Sequence, residues 1–455
     1  MKKITALLLL TLCFVGVRTS YSQKINLLDK AGINQLLNTG IDLYNQGRLN
    51  DAVSILKKAE IIDTANWKVL YWLGMSFYDL SSYYTAEECA VKANEILTRT
   101  EEHDVALIEL LGNINHRLGN VDIAANYFKQ AAEMMGKKTA MDAGIPILID
   151  ACELSLKDTK EGRKNKRRIL ADEINTVDEE YAPILINGGK DLFFTARKPE
   201  TTGNNINPDD QRYFEDMYHA RWDSISSTWK IDNTTFTEWN TNGFDALTYL
   251  NENGLYGLCT INTSATEKTT KSSDIFEIIA EQPLKWSSMD IIKNKSINTD
   301  FFEGAASLAH VSDNEQKMIF VSDRKGDVSG TDLYSVLRTD EVWKNAERLP
   351  KEINSLGDET TPYITEDGKF LFFSSKGLPG YGGYDVFYSQ WIDDKWSAPI
   401  NLGIEVNSVN DDTHFQINTN NNKCALASMA ARGDYFSYDL FQLDMTGLNF
   451  PFLKK

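Results

Sequence analysis

The residues of this chain best suited to chemistry are carboxylates that recur. Glu180, Asp245, Glu303, Glu359 and Asp412 each stand five residues after an Asn that is followed by Thr or Ser: Asn175-Thr176, Asn240-Thr241, Asn298-Thr299, Asn354-Ser355 and Asn407-Ser408. A second set, Asp216, Asp274, Asp332, Asp385 and Asp439, opens an Asp-aliphatic-aromatic run in each copy. In four copies a base comes before it: Arg197, Arg324, Lys376 and Arg432. That order predicts a structural brace within each copy, base to Asp. The first set leaves two chemistries open. Five carboxylates around one channel mouth repel one another unless they meet donors or a cation. Either they accept hydrogen bonds from adjacent backbone and hydroxyls, or they hold an ion or a basic partner.

No catalytic constellation accompanies them. There is no Gly-x-Ser-x-Gly elbow and no phosphate-binding Gly-rich Lys-Ser/Thr loop. Five His in 455 residues and no Cys-x-x-Cys pair give no metal-ligand spacing. Cys89, Cys152, Cys259 and Cys424 read as buried thiols, with a disulfide left open. No catalytic residue, metal or cofactor is therefore assigned, and the chain is read as a non-enzyme.

The elements that position the carboxylates are short strands. Asp358 to Tyr388 is the clearest copy. Two β-rich runs flank the turn Glu366-Asp367-Gly368-Lys369, and a Gly-rich stretch leads to Asp385-Val386-Phe387-Tyr388. An outer-strand Trp closes four copies, Trp229, Trp286, Trp343 and Trp396, and Phe450 takes that place in the fifth. A single four-stranded unit cannot bury both faces. Repeated radially, such units make a β-propeller. Arg167 to Leu170 aligns with the segment before the Asn of the other copies, so it is expected to pair with the last blade. The pattern resembles the TolB-type, WD40-like propeller repeat, in which Asp-Gly-Lys and Asp-Ile-Tyr runs are hallmarks. The resemblance implies a propeller over 172–455 of about five blades, with a sixth left open.

Residues 23–158 change period to i, i+3, i+4, i+7. Gly40, Gly74 and Gly112 hold one position of a repeat of about 34 residues. Ala52, Ala86 and Ala124 hold a second, and Ala59, Ala93 and Ala131 a third. This resembles the tetratricopeptide repeat. The fold class is thus α + β multidomain, an α-helical solenoid before an all-β propeller. In that family the first helix of each pair lines a concave peptide groove. Here the groove would present Tyr44, Asn45, Tyr71, Met75, Tyr78, Asn113, His116 and Arg117. Residues 159–171 form a basic linker, either a solvated connector or a contact with an acidic face of a partner or of this chain.

Residues 1–22 read as a signal peptide, with Lys2-Lys3, an apolar run from Ile4 to Val17, and a Ser20-Tyr21-Ser22 cleavage site. The run is short for a membrane span, and no later segment is long and apolar enough to make one. Its removal takes three cations and lowers the net charge from −18. Such acidity excludes nucleic-acid binding through the global field and favours basic partners. The order of leader, helical repeats and propeller resembles envelope proteins of Bacteroidetes-type bacteria, among them the peptidoglycan-associated component of type IX secretion and gliding. The resemblance implies a periplasmic scaffold, possible neighbours of OmpA type, and other envelope proteins as partners. The OmpA-like domain of those proteins does not follow the propeller here, so any peptidoglycan contact is expected to be indirect.

Overall fold

The computed structural model describes residues 27–207, 210–262, 273–324, 330–418 and 421–453. The leader and its cleavage site lie outside the described residues. Eight helices come first: α1 Leu27–Asn45, α2 Leu49–Ile62, α3 Trp67–Asp79, α4 Tyr83–Arg99, α5 Val105–Arg117, α6 Val121–Met135, α7 Lys137–Asp142 and α8 Ile145–Lys160. They form a tetratricopeptide-like stack of antiparallel pairs. The six repeat alanines are fully buried. Glycine is needed where the pairs cross most closely. A Cβ on Gly40 would lie 2.6 Å from Leu56, and one on Gly112 would lie 2.6 Å from Phe128. Caps set two of the starts: the Asn66 and Asp104 side chains accept from the amides of Val69 and Leu107.

Five antiparallel sheets follow as a five-bladed propeller. The innermost strands are Glu179–Ile186, Phe244–Leu250, Glu303–Ser312, Glu359–Ile364 and Asp412–Asn418. Each carries a register shift, near its start in four and between Leu247 and Tyr249 in the second. In four of them a non-glycine residue sits in the left-handed region at that bulge: Ala182, Ala305, Thr361 and His414, with φ of 50°, 47°, 47° and 52°. The ring closes through Arg168–Ile169, which pairs with the last strand, Tyr435–Asp444. That strand completes the fifth blade. Phe450, read from the sequence as its outer-strand residue, instead stacks on Phe452 and packs edge-on to Tyr388 of the fourth blade. Closure by the N-terminal segment had already filled the outer edge.

The repeated Asn explains why the blades hold together. Each Asn brackets the aliphatic residue of the third strand in the preceding blade. Its amide oxygen accepts from that residue's N–H at 2.8–3.0 Å, and its amide nitrogen donates to the same residue's C=O at 2.9–3.1 Å. The pairs are Asn240 with Met217, Asn298 with Ile275, Asn354 with Leu333, and Asn407 with Val386. Asn175 does the same for Leu440 and so joins the first blade to the last. Asn354→Ala leaves a buried N–H and C=O unmatched and is expected to cost about 3 kcal/mol of stability. Chemical denaturation checks this, and a change below about 0.5 kcal/mol would mean the clamp is dispensable.

Candidate functional site

The five repeated carboxylates do not ring an open channel mouth. Glu180, Asp245, Glu303, Glu359 and Asp412 are all fully buried. Each accepts from the backbone N–H and the hydroxyl of the Thr or Ser four residues earlier, at 2.5–3.0 Å. Cations complete three of them: Lys198 on Glu180 at 3.0 Å, Arg324 on Glu303 at 3.0 Å, and Arg167 on Asp412. The reason is strand alternation: successive side chains point to opposite faces. With the carboxylate turned into the blade, the next residue faces the channel.

The expected braces form in one copy. Arg432 pairs with Asp439 at 2.5 Å. Arg324 turns back to Glu303 and to the carbonyls of Ser296 and Ile297, while Asp332 is held by Arg348 at 2.7 Å. Lys376 pairs with Asp358, whereas Asp385 accepts the amides of Tyr381 and Gly382. Arg197 clasps Asp210, and Asp216 accepts the amide and hydroxyl of Thr202. Asp274, in the copy without a base, is half-buried, and burial raises its pKa. In the third and fourth blades the Asp sits opposite the last residue of the second strand, and the base just beyond that end, Arg324 or Lys376, reaches the loops more readily than the neighbouring side chain.

A cavity of about 500 Å³ opens at this end of the channel, lined by residues of all five blades. In four of the five copies the residue after the repeated carboxylate lines it: Tyr181, Ala246, Thr360 and Thr413. In four copies the residue before the repeated Asp lines it as well: Glu215, Ser273, Tyr384 and Tyr438. Both sets are one position from the residues the sequence pattern picks out, and the strand period would have found them. Tyr181 and Glu215 lie side by side, and burial raises the pKa of both. His414 packs against Tyr181, with ring centroids 5.5 Å apart, and burial pushes its pKa down to about 3.

The helical stack docks beside this cavity. Arg117 at the end of α5 pairs with Asp411 at 3.0 Å. Tyr83 of α4 packs on Phe436 at 4.8 Å, and the Phe436 amide donates to the Ser81 carbonyl. Tyr381 donates to Asp158 of α8. The basic linker lies along this seam: Arg163 joins Asp158 to Glu405, both at 2.8 Å. The Gly-rich stretch of the fourth blade is thereby explained. A Cβ on Gly383 would lie 1.6 Å from an Asp411 oxygen and 2.8 Å from Arg117.

Docking divides the predicted groove. Arg117 is committed to the propeller. His116 is buried, and burial, with Arg117 beside it, pushes its pKa down to about 4. Tyr78 packs on Tyr83, and Tyr44 donates to Asp79 while meeting Trp72 edge-on. Tyr71, Met75 and Asn113 remain half-buried on α3 and α5, and Asn45 is exposed at the end of α1. One further line of polar groups escaped the sequence reading. His219 contacts Asp191 and Thr235, both at 2.8 Å. Its ring is fully buried and stacked flat on Phe193, so the line ties strands to the loop that follows them. The four described cysteines are buried and unpaired. Among the described residues no group of His, Cys, Asp or Glu could hold a metal ion, and no helix is long and apolar enough to cross a membrane.

No family model and no curated protein matches the chain. Among solved structures, the helical part is similar to the type III secretion chaperone SycD of Yersinia enterocolitica in complex with a peptide of the translocator YopD. Identity is 14%, over 29% of this chain and 99% of that one, with a TM-score of 0.26. The Arabidopsis OM64 TPR domain gives 19% identity over 26% and 96%, with a TM-score of 0.24. A glycoside hydrolase gives 10% identity over 66% and 99%, with a TM-score of 0.44. These TM-scores lie below 0.5, and the likenesses carry nothing about function.

Asp245 stands apart in the carboxylate set, because its blade lacks the basic residue. Among the described residues one of its oxygens has no partner, and burial pushes its pKa up to about 8. The folded chain therefore keeps this proton across a range where the unfolded chain has lost it. Stability from this site is present below the unfolded pKa near 3.8 and is lost as pH rises toward 8. Asp245→Asn is expected to match the native chain at pH 4 and to exceed it at pH 8 by roughly 1–3 kcal/mol. Denaturant titrations at both pH values check it; equal losses in the two proteins would contradict it.

Proposed function

We propose that the chain is a non-catalytic interaction scaffold of the bacterial cell envelope, exported to the periplasm. The observation that carries this reading is the fixed placement of two repeat surfaces. The helical stack, with Tyr71, Met75 and Asn113 half-buried on one face, docks next to the propeller's channel mouth through Arg117 and Asp411. Aromatic, sulfur and amide groups on a rigid helical face suit the capture of a peptide. The polar residues of the sequence motifs are spent on hydrogen bonds and ion pairs inside the blades, which supports a structural use for them. The leader-like N-terminus and the order of the domains support export and partners among other envelope proteins. Membership of a secretion, gliding or OmpA-type assembly rests on the family resemblance alone.

Affinity capture from envelope extracts under mild cross-linking tests the reading. The mature chain is expected to recover a specific set of envelope proteins. A Tyr71→Ala, Asn113→Ala pair is expected to lose at least one of them while the melting temperature changes by less than about 3 °C. Recovery of no specific partner would overturn it.

A further inference from the structure

We propose that the channel mouth takes a lysine or arginine side chain presented by a protein partner, seated between Glu215 and the aromatic residues around the opening. The inference rests on the scaffold reading and adds the partner's chemistry. The cavity, about 500 Å³, can hold a long side chain and the backbone on either side of it. Its wall carries Tyr181, Phe244, Phe302, Tyr384 and Tyr438. Aromatic faces attract a cation that has left water.

The charges around the mouth single out one carboxyl. Glu179 is held by Arg212, with Arg197 3.7 Å away, and Asp210 is held by Arg197. Asp358 is held by Lys376, and Asp411 by Arg117. Among the described residues Glu215 is in no ion pair. Tyr181 lies beside it, the guanidinium of Arg197, already clasped to Asp210, acts on it only at longer range, and it borders the cavity. Bound in that space, a cationic side chain would complete the same carboxylate–cation pairing that the other acids of the mouth already have.

The surface around the opening suits a protein rather than a free amine. Val177 and Leu356 are 68% and 81% exposed, and Phe301 is 39% exposed. All three stand in loops that lead into innermost strands at this end of the channel. An apolar rim around a charged socket gives the residues flanking the lysine or arginine something to cover. The chain's net charge of −18 draws basic partners toward it. A neutral sugar could lie on the aromatic residues but would leave Glu215 without a cation.

Calorimetric titration of the mature chain decides the matter. The probes are acetyl-Gly-Lys-Gly-amide, its Arg and Gln counterparts, and chitobiose. The Lys or Arg peptide is expected to bind at least tenfold more tightly than the Gln peptide, and more tightly at pH 7.5 than at pH 5. Glu215→Gln should lose at least tenfold in that affinity. Thr360→Tyr, which fills the cavity from another blade and leaves Glu215 in place, should lose it too, and this keeps the test decisive if Glu215→Gln folds poorly. Equal binding of the three peptides, undiminished binding by both variants, or binding of chitobiose alone would overturn the inference. Envelope partners that still bind Glu215→Gln at native strength would overturn this inference and leave the scaffold reading intact, whereas a native chain that recovers no partner would overturn the scaffold reading itself.

Discussion

Everything at the channel mouth depends on one repeated pair of contacts, the Asn clamp and the buried carboxylate beside it. The Asn holds the neighbouring blade by both backbone groups of one residue. Four residues after its hydroxyl-bearing neighbour, the carboxylate closes the loop that carries that Asn. Together they fix where each innermost strand begins. They also fix the bulge that follows, where Ala182, Ala305, Thr361 and His414 adopt the left-handed backbone. Such strain persists only when the surroundings over-determine it. Asn175 carries the same contact across the seam between first and last blade, so the ring closes by side chain as well as by strand pairing.

A second constraint follows from the first. With the fourth and fifth blades fixed, their loops offer Asp411 and Tyr381, and the last strand offers Phe436, to the helical stack. The stack answers with Arg117, Asp158 and Tyr83. These contacts mix a half-buried ion pair, a hydroxyl on a buried carboxylate and an aromatic pair. The linker bases reinforce them from the side, with Arg163 bridging the two domains. Joined this way, the repeat face and the channel mouth become one continuous surface.

The architecture was legible because repetition multiplies weak signals. A single Asp-Gly-Lys turn says little, but five copies of Asn-Thr/Ser and Asp-aliphatic-aromatic define blades. The segment Arg167 to Leu170 was legible as the closing strand for the same reason, and it pairs as expected through Arg168 and Ile169. The channel lining was not legible from the most regular residues. Motif residues such as Glu359 and Asn354 are regular because they build the blade. The residues beside them vary, from Tyr181 to Ala246 to Thr413, because they face open space. The brace partners were missed because a flexible Arg or Lys chooses among several acceptors by three-dimensional reach, as Arg324 does between Glu303 and two carbonyls. The commitment of Arg117 and His116 to the propeller was hidden for a related reason. A repeat pattern defines one domain's face and is silent about what a second domain places against it.

Small-angle X-ray scattering of the mature chain, alone and as Arg117→Glu with Asp158→Ala, tests most directly whether the two repeat domains form one surface. A docked molecule predicts a single compact profile for the native chain that matches the arrangement described, and a larger radius of gyration for the double variant. A native profile that fits only a broad mixture of extended shapes, unchanged by the two substitutions, would contradict it.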